Sequence, residues 1–487
     1  MSERLSDPWY SRPYSEGPMG LPFQRPSPHC RTFSSSLVEK IINDITSRME
    51  DKDLARIFEN AFPNTLDTTV RWHVDGTEKK IKKGKHGYGH KDDGKWEGAQ
   101  SFIVTGDINA EWLRDSTNQL AQYQGLAKKD KRLESLILGA INTQAEFVIQ
   151  SPYCNAFQPP PPSHLPHTAN GQEDSVHPIY EPSYVFECKY ELDSLASFLA
   201  LANQFHKSTG STAFLTPRWY HALDTVIEVL EQQAKPTFDQ ETGRYQKNEY
   251  TFKRRTDTGT ETLNLAGIGN PLRGGTGLIR SAFRPSDDAT ILGFFIPANA
   301  MIAVELKRTA EITKAAGKED LAKTLLERAE SVEKGVWDHG VVNHKTYGQV
   351  FAYEVDGYGS SIMMDDANLP SLLALPLIGF LDASNEVYRN TRRMILEKEG
   401  NPYYLQGRSI KGIGGPHSKC YLTCPRLYTD IVRSWHTERL ANELATPGND
   451  FRGRRRDHGV TSLCPQLEPD GLGPREYQRQ STYRIYT

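Results

Sequence analysis

The sequence predicts an all-α chain, a run of helical hairpins closed into a toroid. Three observations predict it. Apolar residues recur at helical spacing through most of the 487 residues, with short gaps and few extended runs between them. Closing such an array buries the apolar face of every hairpin and leaves the loops of one end around a cavity. No internal repeat of fixed period is visible, which argues against an open solenoid.

Composition narrows the classes. A hydrophobic content of 37% supports a large core. A net charge of -3 gives no electrostatic case for nucleic acid or an anionic membrane. No apolar run reaches the ~18 residues of a membrane helix. Cys30, Cys154, Cys188, Cys420, Cys424 and Cys464 fit neither a zinc spacing nor a disulfide-dense scaffold. No metal and no cofactor are expected. The N-terminus lacks a charged-then-apolar leader, so the residues themselves assign no compartment.

Residues 1–30 are polar and proline-rich, and a disordered or extended arm is expected. Leu37, Ile41, Ile42, Ile45 and Met49 then form one helical stripe, and Leu54, Ile57 and Phe58 a second. Val70-Arg71-Trp72-His73 reads as extended. Residues 77–95 are charged and glycine-rich, a surface loop. A helix opens in I-N-A-E-W-L-R-D-S, and Leu133, Leu136, Ile137, Ile141 and Ile149 give the next. Residues 155–173 are a proline-rich excursion. Helices follow over 187–205 and from Pro217, then strands or loops over 238–266. The glycines of G-I-G-N-P-L-R-G-G-T-G lack the lysine of a phosphate loop and read as close backbone crossings. In F-R-P-S-D-D-A-T, Ser286 or Asp287 caps an expected helix whose body holds Ile291, Leu292, Phe294, Phe295 and Ile296. Residues 319–336 are helical and 347–355 alternate as a strand. M-M-D-D-A-N-L-P-S-L-L opens a further helix pair.

Acids gather where helices are expected to begin. The groups are Asp107 with Glu111, Arg114 and Asp115; Glu191 with Asp193; Asp287 with Asp288; and Asp365 with Asp366. The helix dipole accounts for single acids in first turns. Adjacent acids repel unless something compensates them. A cavity ringed by carboxylates, Trp, Tyr and Arg suits a neutral polyol, because carboxylates accept from hydroxyls and aromatic faces cover the sugar ring. Glycoside hydrolysis requires one protonated acid and one ionised base or nucleophile. Calcium held with Asn299 or Asn368 ranks lower, since no EF-hand loop is present.

The segments V-R-W-H, S-F-I-V-T-G-D-I-N-A-E-W-L-R-D-S, K-Y-E-L-D-S-L, F-R-P-S-D-D-A, F-I-P-A-N, M-D-D-A-N-L-P-S-L-L and G-I-G-G-P-H resemble glycoside hydrolase family 125 in order, from Arg71 to His417. The resemblance implies an (α/α)6 barrel over residues 31–417. It implies an exo-acting α-mannosidase that prefers α-1,6-linked mannose and works by inversion without a metal. Its general acid falls in R-P-S-D-D, at Asp287 or Asp288, with Asp287 preferred. Asp107, Trp112, Arg114, Asp115, Glu191, Asp193, Asp365, Asp366 and Asn368 carry over as substrate-binding residues. Trp72, His73, Arg284 and His417 join them from the matching motifs. The partner implied is a mannose-containing glycan, the chain is expected to be a monomer, and a secretory or extracellular setting is implied.

The tail departs from the family pattern. Residues 418–487 lack the G-T-G-x-x-H-E-S motif, whose glutamate the resemblance implies as the general base, and they lose helical periodicity as Arg, Gly and Pro rise. A change of reading frame would produce such a tail. The barrel is therefore expected to be incomplete at its C-terminus. A catalytically silent carbohydrate-binding relative is the alternative to an active enzyme.

Overall fold

The structure, a computed structural model, describes residues 12–76, 96–106, 108–407 and 411–417. Asp107, the expected loop 77–95 and the tail 418–487 lie outside the described residues.

The long helices are α1 (Ser36–Arg48), α2 (Lys52–Ala61), α3 (Leu113–Ala121), α4 (Lys131–Gln150), α5 (Leu192–Thr209), α6 (Pro217–Gln233), α7 (Ile296–Ala315), α8 (Glu319–Gly340) and α9 (Glu386–Ile395). Local chemistry sets several of their starts. The Ser35 hydroxyl accepts from the Val38 N–H, the Asp130 carboxylate from Arg132 and Leu133, and Thr216 from Trp219 with Pro217 in the first turn. α5 stops at Gly210, whose φ of 74° suits glycine at a helix end.

α3, α5 and α7 stand side by side and are buried on nearly every face. α8 packs on α7, and α6 on α4, as an outer layer. The inner three run in the same direction. Arg114 of α3 meets Asp193 of α5, Thr117 meets Ser197, and further along Asn203 of α5 donates to Glu305 of α7 at 2.8 Å. Their starts therefore share one end of the molecule, which is what the hairpin array predicts.

The all-α expectation needs correction, because short antiparallel sheets stand at that same end. Glu111–Trp112, which leads into α3, pairs with Ala156–Phe157, and that strand pairs with Val185–Glu187. Phe294–Phe295, which leads into α7, pairs with Glu354–Val355, and that strand pairs with Ser361–Ile362. Cys154 and Cys188, just outside the paired strands Ala156–Phe157 and Val185–Glu187, form a disulfide, a link that cysteine spacing did not suggest.

The helix expected to open at Ser286 does not form there. Residues 284–292 make a tight loop closed by a bridge between Phe283 and Ala289, and α7 begins only at Ile296. The Arg284 N–H donates to the Asp288 carbonyl, and Asp287 sits at φ 71°, a conformation that closes the turn and excludes a helical one. The Glu354 carboxylate takes the N–H groups of Ile291 and Leu292 that a helix would have used. The helix pair expected from Asp365 is also absent. The Asp365 carboxylate ties up the Leu372 and Leu373 N–H groups, and one turn at Leu375–Ile378 precedes α9.

Of the N-terminal arm, residues 12–30 lie against α1 and α2 with little regular structure. Arg25 is buried there and binds Asp67 at 2.7 Å and Glu39.

Candidate active site

Arg114, in the first turn of α3, is the hub of one buried cluster. Its Nη1 donates to Glu191 at 2.5 Å and to Asp193 at 3.1 Å, and its Nη2 lies 3.4 Å from Asp115. Glu191 precedes α5 and also accepts from Asn155 at 3.1 Å and Ser194 at 2.9 Å. Burial pushes the Glu191 carboxyl up to about 8 against the pull of Arg114. Burial raises Asp193 in the same way. Both carboxyls therefore take up protons more readily than exposed ones would.

The loop 284–292 supplies the second cluster. The Arg284 Nε donates to Glu354 at 2.5 Å, its guanidinium lies 5.2 Å over the Tyr353 ring, and both residues are buried. That pair anchors the loop from below. Asp287 then lies with its Oδ1 3.8 Å from the Lys189 ammonium. Asp288 accepts from the Ser286 hydroxyl at 2.9 Å, and its other oxygen faces His417 Nδ1 at 3.7 Å.

Asp366 joins the second cluster from the far side. It accepts from the Tyr353 hydroxyl at 2.8 Å and from the Asn368 N–H at 2.9 Å. Burial raises its carboxyl, with Arg284 opposing and Asp288 adding to the rise. Gly415 of G-I-G-G-P-H packs close to Asp366, where a side chain on Gly415 would come within 3.5 Å of the Asp366 Cβ.

The structure thus gathers Arg114, Asp115, Glu191, Asp193, Arg284, Asp287, Asp288, Asp366 and His417 at the end where the inner helices start. Trp112, almost fully buried, lies two residues before Arg114 and packs edge-on to Phe186 at 5.4 Å. Asn368 contributes its backbone N–H. Asp365 turns its carboxylate onto backbone amides, as described above. Trp72 and His73 sit elsewhere, on the strand Val70–Val74. His73 bonds to Ser101 at 2.9 Å and stands edge-on to Phe33.

Sequence reasoning missed Lys189, Glu354, Tyr353 and Asn155. Lys189 stood inside the quoted K-Y-E-L-D-S-L motif, so the signal was present. Glu354 lies about 70 residues from its partner Arg284 and carries no local signal.

Several comparisons bear on this site. The family model for "Metal-independent alpha-mannosidase (GH125)" matches residues 51–439, beyond His417 where the motif resemblance ends. The chain is 54% identical to the meiotically up-regulated gene 157 protein of Schizosaccharomyces pombe over 401 residues, 82% of this chain and 75% of that protein. Its fold matches that of a Streptococcus pneumoniae metal-independent alpha mannosidase solved as a non-productive complex with alpha-1,6-mannobiose. The TM-score is 0.69 and the identity 30%, over 84% of this chain and 86% of the other. The chain belongs to the GH125 family of metal-independent alpha-mannosidases.

Proposed function

We propose that the chain hydrolyses terminal α-1,6-linked mannose from glycans with inversion at the anomeric carbon. The observation that carries this reading is the gathering of buried carboxylates with Arg114 and His417 at one end of parallel inner helices. The α-1,6-mannobiose bound by the Streptococcus pneumoniae relative supports the linkage. The six-hairpin barrel, incomplete at its C-terminus, belongs to this proposal, with residues 31–417 as its body.

Asp287 is the proton donor to the departing glycosidic oxygen. The expectation placed it there because a helix start would hold Asp288 ionised, and that helix is absent. The assignment rests instead on hydrogen-bond polarity. Asp288 accepts from the Ser286 hydroxyl with one oxygen and faces the His417 imidazole at 3.7 Å with the other, so both its oxygens are already engaged. Asp287, on the same turn, is held at a positive φ of the kind that recurs at working sites. As its proton moves to the leaving oxygen, a water attacks the opposite face of the sugar. An inverting site keeps acid and base roughly 6.5–9.5 Å apart to admit that water. The motif whose glutamate the resemblance implies as that base is absent from residues 418–487. Arg114, Glu191, Asp193 and Asp366 bind sugar hydroxyls.

The test incubates the purified chain with α-1,6-mannobiose and a chelator and follows free mannose. Release that the chelator leaves unchanged supports the reading. Binding of the disaccharide without release would return the silent relative.

A further inference from the structure

Lys189 is a buried cation beside the second cluster, within 3.8 Å of Asp287. It follows Cys188 of the disulfide, its backbone N–H is held by Asn155 at 3.0 Å, and Asn155 also holds Glu191. The backbone on both sides of Lys189 is thereby fixed, and the side chain reaches inward to Asp287. Behind it stands a chain of alternating charges. Asp174 binds Arg254 through two bonds of 2.7 Å. Arg254 binds Glu187 at 2.9 Å, and Glu187 lies 3.4 Å from Lys189, which lies 3.8 Å from Asp287. All five side chains are at most 12% exposed. Phe252 and Phe283, edge to face at 4.8 Å, wall the chain from solvent, with Arg254 and Lys189 each 5.5 Å over one of the rings. Such burial makes each charge depend on its neighbour.

We propose that Lys189 is a positioning residue for Asp287, and that the charge chain from Asp174 inward sets how strongly it acts. This rests on the mannosidase reading above. Glu187 and Asp287 compete for one ammonium, and Arg254 decides the contest by drawing on Glu187. The outer strand pair Asp174–His177 and Thr251–Arg254 thereby reaches the acid without touching it. Other titratable groups that face this chain among the described residues are Glu191 at the start of α5, Asp288 on the acid's own turn, His417, Tyr180 and Tyr250.

The test measures binding of a mannose-configured iminosugar, a cation that favours an ionised partner, by calorimetry on the full chain from about pH 5 to about pH 8. Removing Lys189 in Lys189→Met takes away the charge that keeps the acid's binding form populated at low pH. The acid limb of the profile should move to higher pH by about one unit. Lys189→Arg should stay near wild type. Arg254→Gln should move the limb the same way by less, and it carries the test if Lys189→Met does not fold. A folded Lys189→Met with an unmoved limb would overturn the proposal, as would an equal shift in Lys189→Arg. A wild-type chain that binds neither iminosugar nor α-1,6-mannobiose would instead fail the mannosidase reading and remove the proposal with it.

Discussion

Asp288 and His417 face each other across 3.7 Å, from Oδ1 to Nδ1, and join the loop 284–292 to the last described segment of the chain. The carboxylate is fully buried while the imidazole is about half exposed. Asp288 pushes His417 above the usual imidazole value. The contact therefore stabilises the fold below the ordinary histidine range and fades as pH rises through the raised value. Thermal melts of wild type and His417→Ala should differ most at acid pH and converge at alkaline pH. The gap should stay under about 1 kcal/mol, because solvent screens an exposed partner. A gap that widens with pH would contradict the pairing.

Arg114 is the cation that two buried carboxylates share. Arg114→Met should cost roughly 3–5 kcal/mol near neutral pH, as expected when one partner of a buried network is removed. The cost should shrink in acid, since Glu191 and Asp193 are already raised by burial and take protons readily. Urea unfolding at two pH values checks both statements. A cost independent of pH would place the effect in packing.

Glu111 is completely buried, and burial pushes it up to about 8. It accepts from the Ile103 N–H at 2.8 Å and from Ser116 at 2.9 Å, and so ties Gln100–Ile103 to α3. Its folded form keeps a proton that the unfolded chain releases near the ordinary carboxylate range. Stability should fall as pH climbs from that range toward about 8. Glu111→Gln should flatten this slope and gain on wild type at the alkaline end. Denaturation curves that keep the wild-type slope in the variant would contradict the assignment.

The parts of the fold legible in the sequence are those set by local chemistry. Pro217 announced α6, and the stripes of α4 and α5 were plain from Leu133 to Ile149 and from Leu192 to Phe205. The loop 284–292 was not legible. Ser-Asp-Asp after a proline is a good cap, but Glu354, far along the chain, takes the amides that would have built the helix. The same limit hid the two-residue strands, whose partners are distant and whose patterns are too short to read. The acid groups were legible as motifs, and the structure brings most of them together. What the motifs did not convey is which acids are tied to backbone, as Asp365 is, and which face side chains.

Inverting hydrolysis of α-1,6-mannoside with Asp287 as the proton donor is the proposed reaction. Proton NMR of α-1,6-mannobiose during cleavage, with chelator present, tests it most directly. Wild type should yield β-mannose first, before mutarotation, and Asp287→Asn should lose about 10²- to 10⁴-fold in rate. First appearance of α-mannose, or an Asp287→Asn chain as fast as wild type, would contradict the account.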